Sequence, residues 1–471
     1  MMTMWTPDLS ERSGPRYLGI ADALAADVLQ GVLEPGSRLP THRDLARELG
    51  VTVGTVSRAY AEAERRGLVT GEVGRGTFVL EPDADQEEQG AELDLPEWPD
   101  TDSIDLSMNM PPSASRTEED VALALALEAL SSRPGVGALL QYQPHAGAAH
   151  HRAAGADWIG RVGLEVDPKQ VLVCSGSQHA MAVCFSTLTK PGDVVLTESL
   201  TYAGMKGLAN LFHFKLRGVP MDEHGMLPEA FQSACESTGA KFLYCVPTLQ
   251  NPTNTVMPVE RRKEVAAIAR RHGVVIIEDD IHGLLPSKPV PPIAHFASDI
   301  TCYIASISKS IAPGLRISYL AAPENLVERL TPGLWLTTWM ASPLTAEVAT
   351  LWIQNGTADR ILEKRRKEAA ARQKLAADIL AGVQFQSHPF AYHIWLNLPE
   401  PWRAEDFTQQ ALKQRVVVTP PSAFIVGRER LPHAVRVCLG SVRERDRLAG
   451  GLRILADILT RSPEPCSSSI V

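Results

Sequence analysis

One stretch of the sequence has residue types that could carry out a reaction. It contains a lysine flanked by hydroxyl side chains and reads Ser306-Ile-Ser-Lys309-Ser-Ile-Ala-Pro-Gly-Leu-Arg316. Apolar residues precede and follow it, so Lys309 is expected to enter a buried environment. Burial disfavours the ammonium form and leaves a neutral amine that can attack a carbonyl carbon. Lys309 is therefore a candidate nucleophile toward an aldehyde, although a single lysine is more often a solvated surface charge.

Carboxylates end an apolar run upstream of this lysine. Val274-Val-Ile-Ile is followed directly by Glu278-Asp279-Asp280, a pattern typical of a buried parallel strand with polar residues at its C-terminal end. Ligands of open α/β sheets bind at that edge. Asp279 is therefore a candidate ligand-binding residue.

Two further apolar runs end in small polar turns. Val171-Leu-Val-Cys leads through Ser175-Gly176-Ser177-Gln178 into a predicted helix, and a helix N-terminus with free N–H groups is a phosphate site. The run from Lys241 to Val246 leads to Asn251-Pro-Thr, which supplies an amide side chain. One sheet edge is thus predicted to carry a phosphate site, an amide, an aspartate and a lysine.

Several short motifs stand in the order found in one enzyme family. They are Ser-Gly-Ser-Gln (175–178), Thr-Tyr (201–202), Asn-Pro-Thr (251–253), Glu-Asp-Asp (278–280) and Ser-x-Ser-Lys-x-x-x-Pro-x-x-Arg (306–316). Together they resemble the fold-type I pyridoxal-phosphate enzymes of the aspartate aminotransferase class, over roughly residues 104 to 460. The resemblance implies an α/β transferase fold, with a large doubly wound domain and a small C-terminal α+β domain.

The resemblance also implies pyridoxal 5'-phosphate as the cofactor, joined to Lys309 as a Schiff base. Tyr202 would stack on the pyridine ring, Asp279 would hold the ring nitrogen protonated, and Asn251 would donate to the phenolic oxygen. The remaining residues implied for the cofactor phosphate are Gly176, Ser177, Gln178, Ser306 and Arg316.

This sequence departs from the family pattern after the aspartate. The family has a tyrosine two or three residues later that donates to the phenolic oxygen, and here those positions are Ile281 and His282. His282 is then the candidate replacement donor, and turnover as an enzyme is left open.

Two motifs concern a partner subunit and a substrate. Gln141-Tyr142 to Gly147 resembles a family turn whose tyrosine reaches the cofactor phosphate of the partner, which implies a homodimer; a plain turn tyrosine is the alternative. Val435-Arg436 resembles a strand whose arginine grips a substrate carboxylate through two hydrogen bonds. An arginine paired with a structural acid is the alternative. With Asn251, Arg436 would bind an amino acid or amine.

Residues 1–80 follow a different pattern. Helical spacing from Leu18 to Leu29, a capping box at Thr41-His-Arg-Asp44, and a third helix capped by Thr52 predict a helix-turn-helix. Two short strand-like segments follow, joined by glycines around Arg75, which is typical of a wing.

This segment resembles the GntR family of bacterial regulators, which implies binding to operator DNA. The predicted DNA-binding residues are Arg43, Thr52, Thr55, Arg58 and Arg75, with Val56, Ala59, Tyr60 and Ala63 facing the core. Val53 stands where the family usually has an arginine, so the operator sequence does not follow. A helical dimerisation domain is the alternative.

Composition and charge indicate how the rest of the chain is divided into domains and a linker. The chain has 471 residues, 44% hydrophobic and 21% charged, and a net charge of −9, which is typical of a multidomain protein with packed cores. Residues 81–102 contain ten acids, three prolines and no Lys or Arg, and predict an acidic flexible linker over 81–103. The predicted domains are 1–80 and 104–462, with a small subdomain from about 355, and a disordered tail at 463–471.

Seven scattered cysteines without metal spacing predict reduced residues of a cytoplasmic protein. His145, His150 and His151 lack a carboxylate in a metal-binding pattern, so we expect surface or core histidines and no metal. The most apolar window, 334–353, is interrupted by Pro343 and Glu347 and predicts a packed helix and no membrane span.

A winged helix joined to an aminotransferase-like domain resembles the MocR subfamily of GntR regulators. The first hypothesis is a transcriptional regulator that senses an amino acid, an amine or the cofactor itself through Schiff-base exchange at Lys309. The second is an active aminotransferase that works on amino acids and 2-oxo acids. The third is a regulator that has lost the cofactor.

Overall fold

A computed structural model describes most of the chain. The described residues are 5–7, 9, 15–29, 32–65, 68–72, 76–80, 103–112, 116–427 and 432–461. Apart from Ser103, the predicted linker lies outside them, as do the predicted tail and Arg75. Internal contacts divide the chain into two units, Met1–Asp100 and Thr101–Val471. The domain boundaries proposed from the sequence remain predictions.

The described residues of the first unit form three helices and a hairpin. They are α1 (Arg16–Leu29), α2 (His42–Glu48), α3 (Val53–Arg65), β1 (Val69–Glu72) and β2 (Gly76–Val79). The two strands pair antiparallel, and α1, α2, α3 and the hairpin share one apolar core. This is the predicted winged helix-turn-helix.

The starts of α2 and α3 are set by local hydrogen bonds. Thr41 Oγ1 accepts from the Asp44 N–H at 3.2 Å, and Thr52 Oγ1 accepts from the Thr55 N–H at 3.2 Å, so each threonine satisfies an N–H group at the start of its helix. The predicted inner face of α3 is confirmed, because its members are buried: Val56, Ala59, Tyr60 and Ala63.

The second unit alternates strands and helices. Its helices are α4 (Arg116–Ser131), α5 (Ala149–Gly160), α6 (Ser177–Leu188), α7 (Gly204–Phe212), α8 (Pro228–Thr238), α9 (Val259–His272), α10 (Ile293–Phe296), α11 (Glu324–Thr338), α12 (Pro343–Gln354), α13 (Thr357–Ile379), α14 (Ala404–Lys413) and α15 (Arg445–Leu459). Its strands are β3 (Ile104–Asp105), β4 (Val171–Cys174), β5 (Val194–Glu198), β6 (Lys215–Val219), β7 (Met221–Asp222), β8 (Gly225–Met226), β9 (Phe242–Cys245), β10 (Val275–Asp279), β11 (Thr301–Ser306), β12 (Ser318–Ala321), β13 (Phe385–Gln386), β14 (His393–Asn397), β15 (Val416–Val417) and β16 (Ala434–Cys438).

A seven-stranded sheet forms the centre of this unit, in the order β4-β12-β11-β10-β9-β5-β6. Strand β12 runs antiparallel to both of its neighbours, and the other strands are parallel to one another. The carboxyl ends of the six parallel strands and the start of β12 therefore lie at the same edge. The mainly parallel sheet confirms the predicted fold class.

Helices cover both faces of this sheet. Alternate residues of β4 enter different cores: Val171 and Val173 pack with α5, α12 and α13, whereas Leu172 and Cys174 pack with α6 and α11. Burial on both faces explains why the strand sequences are almost continuously apolar.

A smaller antiparallel sheet, β13-β14-β16, lies in the C-terminal part of the unit. Its core includes Leu106, and the segment around Leu106 pairs through β3 with β15 in parallel. The first residues of the second unit are thereby held beside strands that follow about 300 residues later in the sequence. This arrangement brings residues 107–109 to the candidate site.

The apolar window at 334–353 is divided between α11 and α12, with Pro343 at the first position of α12. Within the part of the chain that the structure describes, no helix is both long and apolar enough to cross a bilayer. Six of the cysteines are free and buried, and Cys466 lies outside the described residues.

Candidate functional site

The sheet edge formed by the parallel strand ends carries the predicted chemical residues. Asp279 ends β10, and Lys309 follows β11 by three residues. Arg316 reaches the same edge from the opposite direction, because it precedes the antiparallel strand β12. The other predicted residues here are Gly176 and Ser177 after β4, Tyr202 after β5, Asn251 after β9 and Ser306 at the end of β11.

Lys309 is partly buried at this edge. Its Nζ donates a hydrogen bond to the backbone oxygen of Asn109. Burial, reinforced by the positive charges of Arg436 and Arg316, lowers the pKa of Lys309 from 10.5 to about 8. The neutral amine that nucleophilic attack requires is therefore accessible near neutral pH.

Asp279 is buried with one satisfied and one unsatisfied carboxylate oxygen. Its Oδ2 accepts a hydrogen bond from the Tyr244 hydroxyl at 2.8 Å. Its Oδ1 is buried and has no hydrogen-bond partner among the described residues. Burial, opposed by the Tyr244 hydrogen bond, raises the pKa of Asp279 to about 7. A cationic N–H group placed at Oδ1 would satisfy this atom and favour the charged carboxylate.

His282 lies close behind Asp279 in the chain and is also buried. Burial and the charge of Lys309 lower the pKa of His282 to about 3, so its imidazole is neutral at physiological pH. Its Nδ1 has no partner among the described residues. A neutral imidazole carries one proton, so Nδ1 donates only in the tautomer that places the proton on that nitrogen.

The turn between β4 and α6 forms a close contact with Arg316. Gly176 has a φ of +92°, and a Cβ at this position would lie 2.4 Å from Arg316 Nη2. No side chain among the described residues caps the start of α6. N–H groups at a helix start, with a guanidinium beside them, match the oxygens of a phosphate group.

Hydroxyl groups stand near this turn. Ser306 is buried, and its Oγ accepts a hydrogen bond from the Ser308 N–H at 3.1 Å. The Ser308 Oγ is buried without a partner among the described residues. The Tyr202 hydroxyl donates to Gln178 Oε1 at 3.3 Å, which links the loop after β5 to the first turn of α6. Burial, then the charge of Asp279, raises the pKa of Tyr202.

Arg436 and Asn251 are bonded to each other. Arg436 Nη1 donates to Asn251 Oδ1 at 2.8 Å, and Nη2 donates to the Ser107 backbone oxygen at 2.6 Å and to Thr419 Oγ1 at 3.4 Å. The guanidinium lies 4.8 Å from the ring centre of Phe424. Arg436 is buried, Nε is unpartnered, and no carboxylate within the described parts of the chain pairs with it. This arrangement does not match the alternative of a structural ion pair.

Tyr142 is not enclosed by its own chain. Its side chain is 81% exposed and contacts the Trp339 ring, with ring centres 5.4 Å apart. Other large apolar residues exposed near it in the second unit are Leu140, Trp335 and Leu336. The structure of one chain therefore does not bring Tyr142 to the cofactor residues.

The predicted DNA-binding residues lie on or before α2 and α3. Arg43, Thr52 and Arg58 are exposed, and Thr55 is half-buried. Thr52 and Thr55 share a hydroxyl contact of 2.9 Å, and the Arg58 guanidinium lies 5.5 Å from the Tyr17 ring centre. Arg75 lies outside the described residues.

Several residues that complete the site were not predicted from the sequence. Tyr244 lies in the apolar run 241–246, and Ser308 lies in the motif 306–316. The available signal for Tyr244 was its position on β9, the strand that pairs with β10 and so lies beside Asp279. Ser107 and Asn109 contribute through backbone oxygens, for which side-chain patterns carry no signal.

Two family models match this chain. Residues 101–452 match the aminotransferase class I and II model, and residues 16–79 match the model of bacterial regulatory proteins of the gntR family. The two matches account separately for the second and the first unit.

Similar proteins include both regulators and enzymes. The HTH-type transcriptional regulator YdeF of Bacillus subtilis is 31% identical over 455 residues, covering 97% of this chain and 96% of that protein. The 2-aminoadipate transaminase of Thermus thermophilus is 27% identical and covers 68% of this chain and 81% of that protein. The HTH-type pyridoxine biosynthesis transcriptional regulator PdxR of Corynebacterium glutamicum is 25% identical, covering 76% and 77%.

Among solved structures, Pyrococcus horikoshii kynurenine aminotransferase in complex with PMP matches with a TM-score of 0.70 and 24% identity, covering 77% of this chain and 91% of that chain. At this identity the likeness shows the fold alone. It agrees with the family match and with the sheet order described above.

Proposed function

Since the chain belongs to the aminotransferase class I and II family and begins with a gntR-family winged helix, we propose that it is a pyridoxal-phosphate-dependent transcriptional regulator that senses an amino acid or amine. The near full-length similarity to an HTH-type transcriptional regulator supports this role, because it spans both units in the same order. A regulator that binds bacterial DNA would act in the cytoplasm.

The residues at the sheet edge fit pyridoxal phosphate. Asp279 Oδ1 is a buried oxygen that has no partner in the described part of the chain, and a protonated ring nitrogen could supply one. A Cβ on Gly176 would collide with Arg316, so the guanidinium lies directly beside the start of α6. A phosphate bound there could contact both the N–H groups of the helix and the guanidinium. Together with Lys309, the arrangement argues against the hypothesis of a lost cofactor. That hypothesis predicts a colourless protein whose spectrum is unchanged by Lys309→Ala.

When bound, the cofactor supplies an aldehyde that can be exchanged between the Lys309 amine and the amine of a ligand. Asp279 would hold the proton on the ring nitrogen, and Asn251 and His282 would donate to the phenolic oxygen. Ser177, Gln178, Ser306 and Arg316 would hold the phosphate, and Tyr202 would cover the ring face. The lowered pKa of Lys309 lets its Nζ accept a proton near neutral pH.

The single observation that carries the ligand class is Arg436. A buried guanidinium without a carboxylate partner among the described residues is costly unless a ligand supplies the negative charge. Its Nη1 and Nη2 donate to the neutral oxygens of Asn251 and Ser107, and a ligand carboxylate that took their place could accept two hydrogen bonds from the guanidinium. An α-amino acid combines that carboxylate with the amine that Lys309 chemistry requires.

A homodimer is part of this proposal. The exposed side chains of Tyr142, Trp339 and Trp335, whose rings contact one another in that order, form an apolar surface that a second copy could cover. Tyr142 of each chain would then reach the cofactor phosphate of the partner. Paired winged helices would allow two half-sites of operator DNA to be contacted at once, through Arg43, Thr52, Thr55, Arg58 and Arg75.

The regulatory step requires that the ligand binds two states of the protein unequally, because only a difference in affinity shifts an equilibrium. The test is a parallel titration of the cofactor-loaded full chain with amino acids and with the corresponding amines that lack a carboxylate. Absorbance would report exchange at Lys309, and fluorescence anisotropy would report affinity for upstream DNA.

We expect an amino acid that changes the cofactor spectrum also to change the affinity for DNA. Arg436→Gln should remove the preference for amino acids over amines, while Arg217→Gln, a change of an exposed arginine in β6, should not. Spectral exchange without any change in DNA affinity, across the whole panel, would contradict the sensing role.

Aminotransferase activity is a second candidate function, because Lys309, Asp279, Asn251 and Arg436 form the set of groups that amino-group transfer needs. The similarity to 2-aminoadipate transaminase favours it as well. Amino-group transfer to a 2-oxo acid at rates of about 1 s⁻¹ or more, in a protein that binds no upstream DNA, would select this function over regulation.

A further inference from the structure

Two adjacent histidines and a glutamate converge where α5 contacts α12, away from the site described above. His150 Nε2 lies 2.7 Å and His151 Nε2 lies 2.8 Å from Glu347 Oε2. The two imidazole rings are 4.1 Å apart between centres. Within the described ranges, this is the group of His, Cys, Asp and Glu whose three ligand atoms all lie within 4.8 Å of one another.

The burial of this cluster suits a bound cation. The side chains of His151 and Glu347 are only 3% and 8% exposed, so an ion held between them would be largely shielded from solvent. Imidazole nitrogens and carboxylate oxygens bind metal ions in their deprotonated forms.

We propose that His150 Nε2, His151 Nε2 and Glu347 Oε2 bind a divalent transition-metal ion of the zinc type, with water as a further ligand. Two imidazoles and one carboxylate form a ligand set that zinc accepts, whereas magnesium and calcium prefer oxygen ligands. Ligand atoms of a tetrahedral zinc site are about 3.3 Å apart, so each nitrogen must move away from Oε2 by roughly half an ångström.

The surroundings provide orientation and access. Arg133 Nη1 donates to Glu347 Oε1 at 2.8 Å, which fixes the carboxylate and leaves Oε2 to the two imidazoles. Half of the Arg133 side chain is exposed, so solvent weakens its repulsion of the ion. The His150 side chain is also about half exposed and leaves a path by which the ion and its water can enter.

An ion here would join α5 to α12. Helix α5 begins two residues after Gly147, and a Cβ on Gly147 would lie 2.4 Å from Val173 Cγ2 in β4. The metal would therefore link the first turn of α5, which packs close to β4, to α12. We expect zinc to raise the thermal unfolding temperature of the second unit.

The experiment uses the full chain after removal of metals with a chelator. Zinc would be titrated in competition with a chromophoric chelator, and cobalt would be added in parallel because its visible absorption reports nitrogen and oxygen ligands. The variants are His150→Ala, which removes a half-exposed side chain, and Glu347→Gln. His224→Ala, which removes an exposed histidine between β7 and β8, is the matched control.

We expect one zinc per chain in the unaltered protein and in His224→Ala. Loss of one of the three ligands should weaken binding by more than the roughly tenfold that loss of a supporting partner costs. Unchanged zinc affinity in His150→Ala would overturn the proposal, as would an unaltered chain that takes up no zinc. Because His150 is half exposed, this variant remains decisive if Glu347→Gln fails to fold. The titration needs neither DNA nor an effector, so its outcome is independent of the proposed regulatory function.

Discussion

At the scale of single residues, the candidate site is defined by charges that burial makes costly. Burial moves Lys309 and Asp279 toward their neutral forms, with pKa values of about 8 and about 7. The buried guanidinium of Arg436 makes its hydrogen bonds to neutral oxygens. The cofactor, with its cationic ring N–H at Asp279, and an amino acid, with its carboxylate at Arg436, would together compensate both costs.

The lowered pKa of Lys309 leads to a pH prediction. The neutral amine attacks the cofactor aldehyde, and its fraction increases as pH rises through the pKa. The rate of pyridoxal phosphate uptake by cofactor-free protein should therefore rise about tenfold per pH unit below about 8 and level off above it. Stopped-flow absorbance would measure this rate, and Lys309→Ala should abolish the signal. A rate that still climbs steeply toward pH 10.5 would contradict the lowered pKa.

A pair of tyrosines allows the role of Asp279 to be tested. The Tyr244 hydroxyl donates to Asp279, and the Tyr303 hydroxyl donates to Asp280 Oδ2 at 2.7 Å. Tyr244→Phe should raise the pKa of Asp279 further, because it removes a bond that favours the carboxylate. We expect cofactor affinity to fall by about tenfold or more, in line with about 1.5 to 3 kcal/mol for the removal of a hydrogen bond to a charged group.

Tyr303→Phe is the matched control for this prediction, since it removes an equivalent hydroxyl from the neighbouring aspartate. It should lower the free energy of unfolding about as much as Tyr244→Phe does, and it should leave cofactor affinity close to its original value. Equal losses of affinity in the two variants, measured by fluorescence titration, would show that Asp279 has no special role.

At the scale of elements, the direction of strands decides which residues meet. Parallel strands bring the residues that follow β4, β5, β9, β10 and β11 to one edge of the sheet. The antiparallel strand β12 brings a residue that precedes it, and so Arg316 joins the start of α6. The contact is close enough that position 176 must lack a side chain.

Gly176→Ala tests this contact. Its Cβ would lie 2.4 Å from Arg316 Nη2 and displace the guanidinium, so affinity for pyridoxal phosphate should fall by more than tenfold, or about 1.4 kcal/mol. Equilibrium dialysis would measure the loss. Gly192→Ala is the control, because Gly192 has nearly the same φ, +91°, and its Cβ would meet nothing within 4 Å. If both variants bind the cofactor equally well, the phosphate does not lie at this turn.

At the scale of the whole molecule, a winged helix and an aminotransferase fold are joined in one chain. Each unit has an apolar core of its own, and the proposed function requires that ligand binding in one unit changes DNA binding by the other. By reciprocity, DNA must then change the affinity for the ligand by the same factor. Measuring ligand affinity with and without DNA therefore checks the measured effect of the ligand on DNA affinity.

The DNA-binding surface is tested through its charge. Arg43 is exposed in the first turn of α2, and Arg43→Ala should weaken binding to upstream DNA and reduce the slope of log affinity against log salt concentration by about one. Arg217→Ala removes the same charge from the second unit and should leave the affinity and the slope unchanged. Anisotropy titrations at several salt concentrations would measure the slopes. A slope that is the same for both variants would contradict the assignment of Arg43.

Much of this organisation could be predicted from local sequence. Capping residues such as Thr41 and Thr52 act within one helical turn, so the winged helix was predicted with its inner face correct. The apolar runs before Gly176 and Asp279 predicted buried strands, because burial on both faces leaves little room for polar residues. The family motifs added the cofactor, which the family match supports. They also added the roles of Lys309 and Arg436, which remain proposals.

The sequence by itself determined the elements, the order of the motifs and the family. Only the tertiary structure decided that the Asn109 backbone faces Lys309, that Tyr244 serves Asp279, and that Glu347 meets His151 across 196 positions. The physical reason is that helix and strand patterns arise from neighbours within a few residues. Contacts between distant residues depend on how whole elements pack, which no local pattern encodes.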